Sequence, residues 1–260
     1  MKKNAILFAG LVTTALVWMG ASSKALATPL TFNGVSGTFS ASATFDIVGG
    51  NLQITLANTS LSDVLTPTSG GGVLTALFFD LAPTTTLTPI SAALGGSTVF
   101  GGPNGGGNVG GEWAFAGGLS GAPGNAGLGS SSSGFGLFGA PNFNGPDLQT
   151  PAAVDGLNYG ITSAGDNPLT GNTAVTGGSG PNPVALIKSS VIFTLSGNPA
   201  FTTIGDYTIS NVSFQYGTDL VLDPNVIATP VPEPTAGVLL AAGMAGGILL
   251  LAARRRFSNL

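Results

Sequence analysis

"VSGTFSASATFDIVGGNLQITLAN", residues 35–58, is the stretch that decides the fold class. Val35, Phe39, Ala41, Ala43, Phe45 and Ile47 alternate with Ser36, Thr38, Ser40, Ser42, Thr44 and Asp46. A period of two puts the apolar set on one face of a strand. Gly49-Gly50 then supplies the positive φ of a tight hairpin turn. Leu52, Ile54 and Leu56 resume the alternation on the return strand. One face of this hairpin is apolar and the other is rich in Ser and Thr. It should cover a core with its outer side in water.

Similar signals recur outward from the hairpin. VLTALFFDL (residues 73–81) is nearly all apolar and reads as a strand buried on both sides. Residues 112–115 and 157–161 are short, weak strand candidates. Val191, Phe193 and Leu195 alternate with Thr194 and Ser196. In DYTISNVSFQY the apolar phase slips at Ser210-Asn211, which predicts a bulge or bend. Away from the termini no stretch has a capped helical period. Residues 95–183 are dense in Gly, Ser, Asn and Pro and read as loop with short strands embedded. Trp113, Phe115, Phe135, Phe138, Phe143 and Tyr159 interrupt that region, and flexible linkers seldom carry such aromatics. The expectation is an all-β fold: an antiparallel β-sandwich or jelly-roll-like domain over residues 28–229, with long ordered Gly-rich loops.

Composition narrows the function. Only 7% of the residues are charged, 42 of the 260 are glycine, and there is no cysteine or histidine. Between residues 28 and 253 eleven acids face one base, Lys188, a net charge of -10. Binding nucleic acid requires Lys and Arg to neutralise phosphates, so no nucleic-acid partner is expected. Adhesion to an anionic membrane surface is disfavoured for the same reason. A Ser-His-Asp triad, a cysteine nucleophile and a His/Cys zinc site are excluded.

The N-terminus has the three parts of a secretory signal. Lys2-Lys3 is the charged region, residues 5–19 are an apolar run shorter than a membrane span, and Ala25-Leu26-Ala27 is an A-x-A cleavage site. Residues 1–27 are therefore expected to be removed by signal peptidase, leaving Thr28 as the first residue. With no disulfides, the exported domain must rely on its core.

Candidate chemistry in the domain is sparse. GFGLFG (residues 134–139) matches G-x-G-x-x-G, but serines precede it and Ala140-Pro141 follows, not the strand and helix of a dinucleotide site. Glu112, beside Trp113, could pair with a loop aspartate such as Asp147, Asp155 or Asp166 in glycoside hydrolysis. The plainer reading makes these acids solubilising turn residues. The aspartates could also ligate calcium, although no EF-hand spacing is present. No cofactor is expected. Trp113, Phe115 and Tyr159, with Glu112, Asp166 and other Asp and Asn from the Gly-rich loops, are the candidate ligand-binding residues of a carbohydrate-binding module.

The C-terminal segment, residues 230–257, is the most specific feature. Residues 236–253 are uncharged and apolar, and a helix of that length reaches about 27 Å, enough to cross a bilayer core. Arg254, Arg255 and Arg256 place its C-terminal end in the cytoplasm. The prolines of Pro232-Glu233-Pro234 remove backbone donors and favour extended conformations, so the segment ahead of the helix can be bound by a protease as a strand.

Val231-Pro232-Glu233-Pro234, the apolar run and the three arginines together resemble the PEP-CTERM sorting signal of Gram-negative bacteria and cyanobacteria. The resemblance implies recognition by an exosortase, an integral-membrane cysteine protease, cleavage near Glu233, and transfer to the cell surface or extracellular matrix. ASATFDIVGGNLQITLANTS, VLTALFFDL and GDYTISNVSFQYGTDL resemble, over the domain, one group of exosortase-dependent surface proteins. Such systems tend to accompany exopolysaccharide, which implies by analogy a matrix or biofilm role. The leading expectation is a non-enzymatic surface protein, transiently single-pass in the inner membrane, with Ser/Thr-rich surfaces open to O-glycosylation. The alternatives are a carbohydrate-binding or adhesive module and a glycoside hydrolase.

Overall fold

The computed structural model describes residues 28–61, 72–139, 141–145, 154, 156–165, 185–221 and 225–231. The expected leader, Pro232-Glu233-Pro234, the 236–253 span and the three arginines lie outside them. Among the described residues no helix is long and apolar enough to cross a membrane.

The hairpin of residues 35–58 forms, with one difference from the pattern. Val35 does not begin the long strand. Gly37, at φ 59°, turns the chain, so β1 (Leu30–Ser36) and β2 (Phe39–Val48) are antiparallel neighbours. Val35 thus stands 71% exposed near the end of β1. The second turn falls where expected. Gly49 and Gly50 have φ of 60° and 79°, and Val48 pairs directly with Asn51 at the start of β3 (Asn51–Asn58). Positive φ at both central residues matches the twist of the flanking strands. Ala41, Ala43, Phe45, Leu52, Ile54 and Leu56 are all buried.

The chain continues through β4 (Leu74–Ala82), β5 (Thr86–Ala93), β6 (Val99–Phe100), β7 (Ala114–Gly117), β8 (Leu128–Ser131) and β9 (Gly160–Thr162). It ends with β10 (Leu186–Lys188), β11 (Ser190–Asn198), β12 (Thr208–Tyr216) and β13 (Asn225–Pro230). The all-β expectation holds. The arrangement is a single sheet wrapped almost into a barrel, instead of two sheets stacked face to face. Its strand order is β5-β11-β3-β2-β1-β13-β12-β4-β9-β10-β6, with β7 and β8 attached beside β4. Only Ser189, at φ 76°, separates β10 from β11. This one stretch therefore pairs with β9 in its first part and with β3 in its second. The path returns to its own beginning, which leaves little open edge to recruit another chain.

The seam where β3 meets β9 is held by specific hydrogen bonds. Asn58 N–H donates to Ser189 O at 2.9 Å, and Ser189 N–H to Thr162 O at 2.9 Å. The Asn58 side chain is buried. Its Nδ2 donates to Gly72 O at 3.1 Å and Ile161 O at 3.0 Å, and its Oδ1 accepts from Ser60 N at 3.3 Å.

β4 is buried on both sides, as its apolar run predicts. Leu77, Phe79 and Leu81 face the main core with Phe45, while Ala76 and Phe78 lie under Ala122, Ala126, Phe135 and Phe138. The phase slip in β12 is real: its register against β4 shifts between Ser210 and Ser213, with Asn211 at φ 51°. β5 and β13 carry no clear alternation. Pro89 in β5 is tolerated because that strand pairs only with β11, which leaves its other side to loop contacts such as Val109 N–H to Ala92 O at 2.9 Å.

Candidate functional site

Glu112 closes a short 3-10 turn, Gly110–Glu112, and Trp113 leads into β7. Tyr159 precedes β9, at φ 53°. The fold brings Trp113 and Tyr159 together, since Trp113 Nε1 donates to Tyr159 O at 3.1 Å. Yet both side chains are fully buried. Trp113 packs on Phe193, with ring centroids 5.0 Å apart, and Phe193 stacks on Phe143 at 5.0 Å. Tyr159 OH donates to Pro103 O at 2.8 Å. Stacking on a sugar needs an accessible ring face, and neither ring offers one. As a ligand platform this pair is therefore corrected: these aromatics are core residues that pin the Gly-rich loops onto the barrel. Glu112 is 1% exposed, so it does not present a carboxylate to solvent. Asp147, Asp155 and Asp166 lie outside the described residues. Among the described residues no group of three potential metal ligands converges.

The serine run has a similar fate. Ser130, Ser131, Ser132 and Ser133 are buried. Ser131 Oγ donates to Thr75 O at 3.1 Å and also bonds Ser133 O, and Thr75 Oγ1 donates in turn to Gly217 O at 2.5 Å. The Ser131 and Ser132 hydroxyls satisfy backbone carbonyls inside the fold. They are not a modification surface.

Accessible hydroxyls lie elsewhere, on the outer faces of β1, β2, β3, β11 and β5. Cross-strand register aligns them in rows. Thr31 stands opposite Thr44 and Thr44 opposite Thr55. Asp46 stands opposite Gln53, Gln53 opposite Thr194, and Thr194 opposite Ser91. Thr31 and Thr44 hydroxyls are 3.0 Å apart. Asp46 is the one charged side chain in these rows.

At one end of this face lies a shallow depression of about 470 Å³ lined by Val35, Thr38, Ser40, Thr59, Ser60 and Leu61. The β1–β2 turn forms one wall, and the residues after β3 form the other. Ser40 and Thr59 hydroxyls are 2.6 Å apart. Ser60 Oγ accepts from Ser40 N at 3.0 Å. Ser40 O accepts from Thr59 N at 2.7 Å and from Tyr216 OH at 2.9 Å beneath the floor. Burial, the largest effect on the Tyr216 phenol, pushes its pKa above the ordinary value, so it stays a neutral donor to Ser40 O. Val35 and Leu61 are 71% and 96% exposed on the rim. The depression thus combines hydroxyls, two apolar side chains and no charge. That chemistry suits an uncharged polyhydroxyl ligand with apolar C–H faces and ionic ligands poorly. Sequence reading missed it because its walls are some twenty residues apart and Val35 fitted the core alternation.

A second recess of about 230 Å³ lies between Asp80, Thr84, Thr85, Gly118 and Gly127. Its carboxylate is engaged: Asp80 Oδ1 accepts from Gly127 N at 2.7 Å and Oδ2 from Asn211 Nδ2 at 2.6 Å. Asp80 thereby ties the β7–β8 layer to the β12 bulge.

Fold and site together define an all-β domain with a single wrapped, mostly antiparallel sheet and a hydroxyl-rich outer face of low charge. Comparison with family models, with curated proteins and with solved structures finds no match to this chain.

Proposed function

We propose that this is a non-enzymatic surface or extracellular-matrix protein, exported by its leader and sorted by an exosortase at Val231-Pro232-Glu233-Pro234. Signal peptidase cuts after Ala27. The 236–253 helix, stopped by Arg254, Arg255 and Arg256, holds the chain in the inner membrane until cleavage near Glu233. The domain then works at the cell surface, in contact with extracellular polysaccharide. The observation that carries this reading is the outer sheet face, whose rows of Thr, Ser and Gln, with Asp46 the one acid among them, suit immersion in a neutral hydrated polymer. Low charge there avoids ionic adhesion to the wrong partner.

Mass spectrometry of the surface fraction, with and without the host's exosortase, tests the sorting. A mature C-terminus near residue 233 that depends on the exosortase is expected. An intact tail in both strains would refute it. Excess mass on peptides bearing Thr44, Thr55 or Thr194 would place glycans on the outer rows.

A second reading, a carbohydrate-binding or adhesive module, is favoured by the Val35–Leu61 depression in place of Trp113 and Tyr159. Binding on a glycan array that is lost in Ser40→Leu and retained without calcium supports it. A blank array removes it. The glycoside hydrolase reading is tested by Glu112→Gln, since unchanged turnover would remove that glutamate from the chemistry.

A further inference from the structure

β1 and β13 are antiparallel neighbours, with Phe32 opposite Pro230 and Asn33 opposite Thr229. The pairing runs one residue further, because Val231 N–H donates to Thr31 O at 2.8 Å. The residues that follow the leader and those that precede the sorting motif therefore leave the barrel from the same rim, side by side. Tracing the strands locates everything else relative to that rim. β2 ends there and β3 starts there, so Val48, Gly49 and Gly50 belong to it. Residues 199–203 close over it, with Phe201 N–H donating to Gly50 O at 3.0 Å. The opposite rim carries the β1–β2 turn at Gly37-Thr38, the end of β3, and the depression with Val35 and Leu61.

Four residues, 232–235, connect the last sheet hydrogen bond to the apolar run. Fully extended they span about 14 Å. The strands are 7 to 10 residues long in this part of the sheet, which sets the two rims about 20–30 Å apart after tilting. A tether shorter than the barrel cannot let either rim face the bilayer indifferently.

From this we infer that the β1–β13 pairing orients the domain before processing. The Val48–Gly50 rim is held against the membrane where both ends are cut, and the Val35–Leu61 depression is presented outward to the matrix. The inference rests on the proposed sorting reading. It adds that processing at both ends occurs at one rim and leaves the outward rim untouched.

The absence of cysteine from the chain makes the test direct. Val48→Cys and Leu61→Cys, at side chains 47% and 96% exposed, are each made in the full-length chain. Each is labelled with one fluorophore and reconstituted in phosphatidylcholine vesicles carrying a headgroup-attached quencher. Loss of most of the fluorescence at position 48, with little loss at position 61, is expected. Equal or reversed quenching, in protein that floats with the vesicles, overturns the orientation and leaves the membrane span standing. Protein that does not float overturns the span and the orientation with it. Circular dichroism matching the unsubstituted chain confirms that both variants are folded.

Discussion

Replacing Asn58 with alanine should open the seam of the barrel. Its side chain is the joint between three segments distant in sequence: the end of β3, Gly72 just before β4, and Ile161 in β9. Alanine removes two donors and one acceptor, stranding Gly72 O, Ile161 O and Ser60 N. At about 1 kcal/mol net per lost hydrogen bond, and more for a group stranded in the interior, the loss is about 3 kcal/mol. Carbonyls tolerate under-satisfaction better than N–H groups, which argues against a larger figure. For a domain of this size that corresponds to a fall in Tm of about 6–12 °C. Urea unfolding of the 28–231 chain, followed by circular dichroism, reads the loss directly. Gln53→Ala, in the outer row of the same strand, should stay within about 0.5 kcal/mol. Hydrogen exchange adds a local readout: in Asn58→Ala the Ser189 amide should be accelerated relative to the unsubstituted chain, more than amides in the middle of β2. Asn58→Asp sharpens the test, because an ionised carboxylate cannot donate to either carbonyl. Its folded pKa should be raised, so this variant is least destabilised in acid and loses stability as pH rises above the ordinary carboxylate value of about 4. A loss in Asn58→Ala under about 0.5 kcal/mol, with unchanged exchange at Ser189, would refute the claim that this side chain closes the sheet.

Other outcomes follow from the same structure. Gly34→Ala would place a Cβ 2.8 Å from Val226 Cγ1 and 3.0 Å from the Phe214 ring, so chemical denaturation should report a loss of about 1–3 kcal/mol centred on the β1–β13 pairing. Trp113→Ala should cost about 3–5 kcal/mol in the same assay, because the indole fills the core against Phe193, and a glycan-binding defect without that loss of stability would contradict its placement. The Tyr216 phenol should remain neutral in the folded chain well above pH 10, and ultraviolet titration should detect its ionisation only on unfolding. Its folded pKa lies above its unfolded one, so its contribution is intact below about pH 10 and lost as pH rises beyond that. Leu61→Ser and Val35→Thr should leave urea midpoints nearly unchanged, since both side chains already meet water, while weakening any glycan retention by the depression.

Local physics made much of the fold legible. Two-residue alternation at Ala41–Ala43–Phe45 and Leu52–Ile54–Leu56 needs a one-sided sheet, and Gly49-Gly50 admits the positive φ of its turn. The continuous apolar run in β4 required cover on both faces, and the loop aromatics Phe135 and Phe138 supply the second cover. The phase slip at Ser210-Asn211 was visible because one extra residue moves every later side chain to the other face. The candidate site was much less legible. Trp113 and Tyr159 looked like binding aromatics amid polar loops, but the loops fold back and bury them in the core. Val35 looked like core, but the turn at Gly37 carries it to the rim.

By itself, the sequence determined the class of the chain: β-rich, sparsely charged and acidic, without histidine or cysteine chemistry, and framed by a leader-like start and a sorting-like end. These properties reside in side-chain type and short-range spacing, which act before any long-range contact forms. Only the tertiary structure decided that the sheet closes through Ser189 and Asn58, that the four serines of the central run are buried, and that Thr31 and Val231 are neighbours. Each of these depends on pairing between segments up to two hundred residues apart, where register is set by mutual burial of whole faces and no local pattern records the partner.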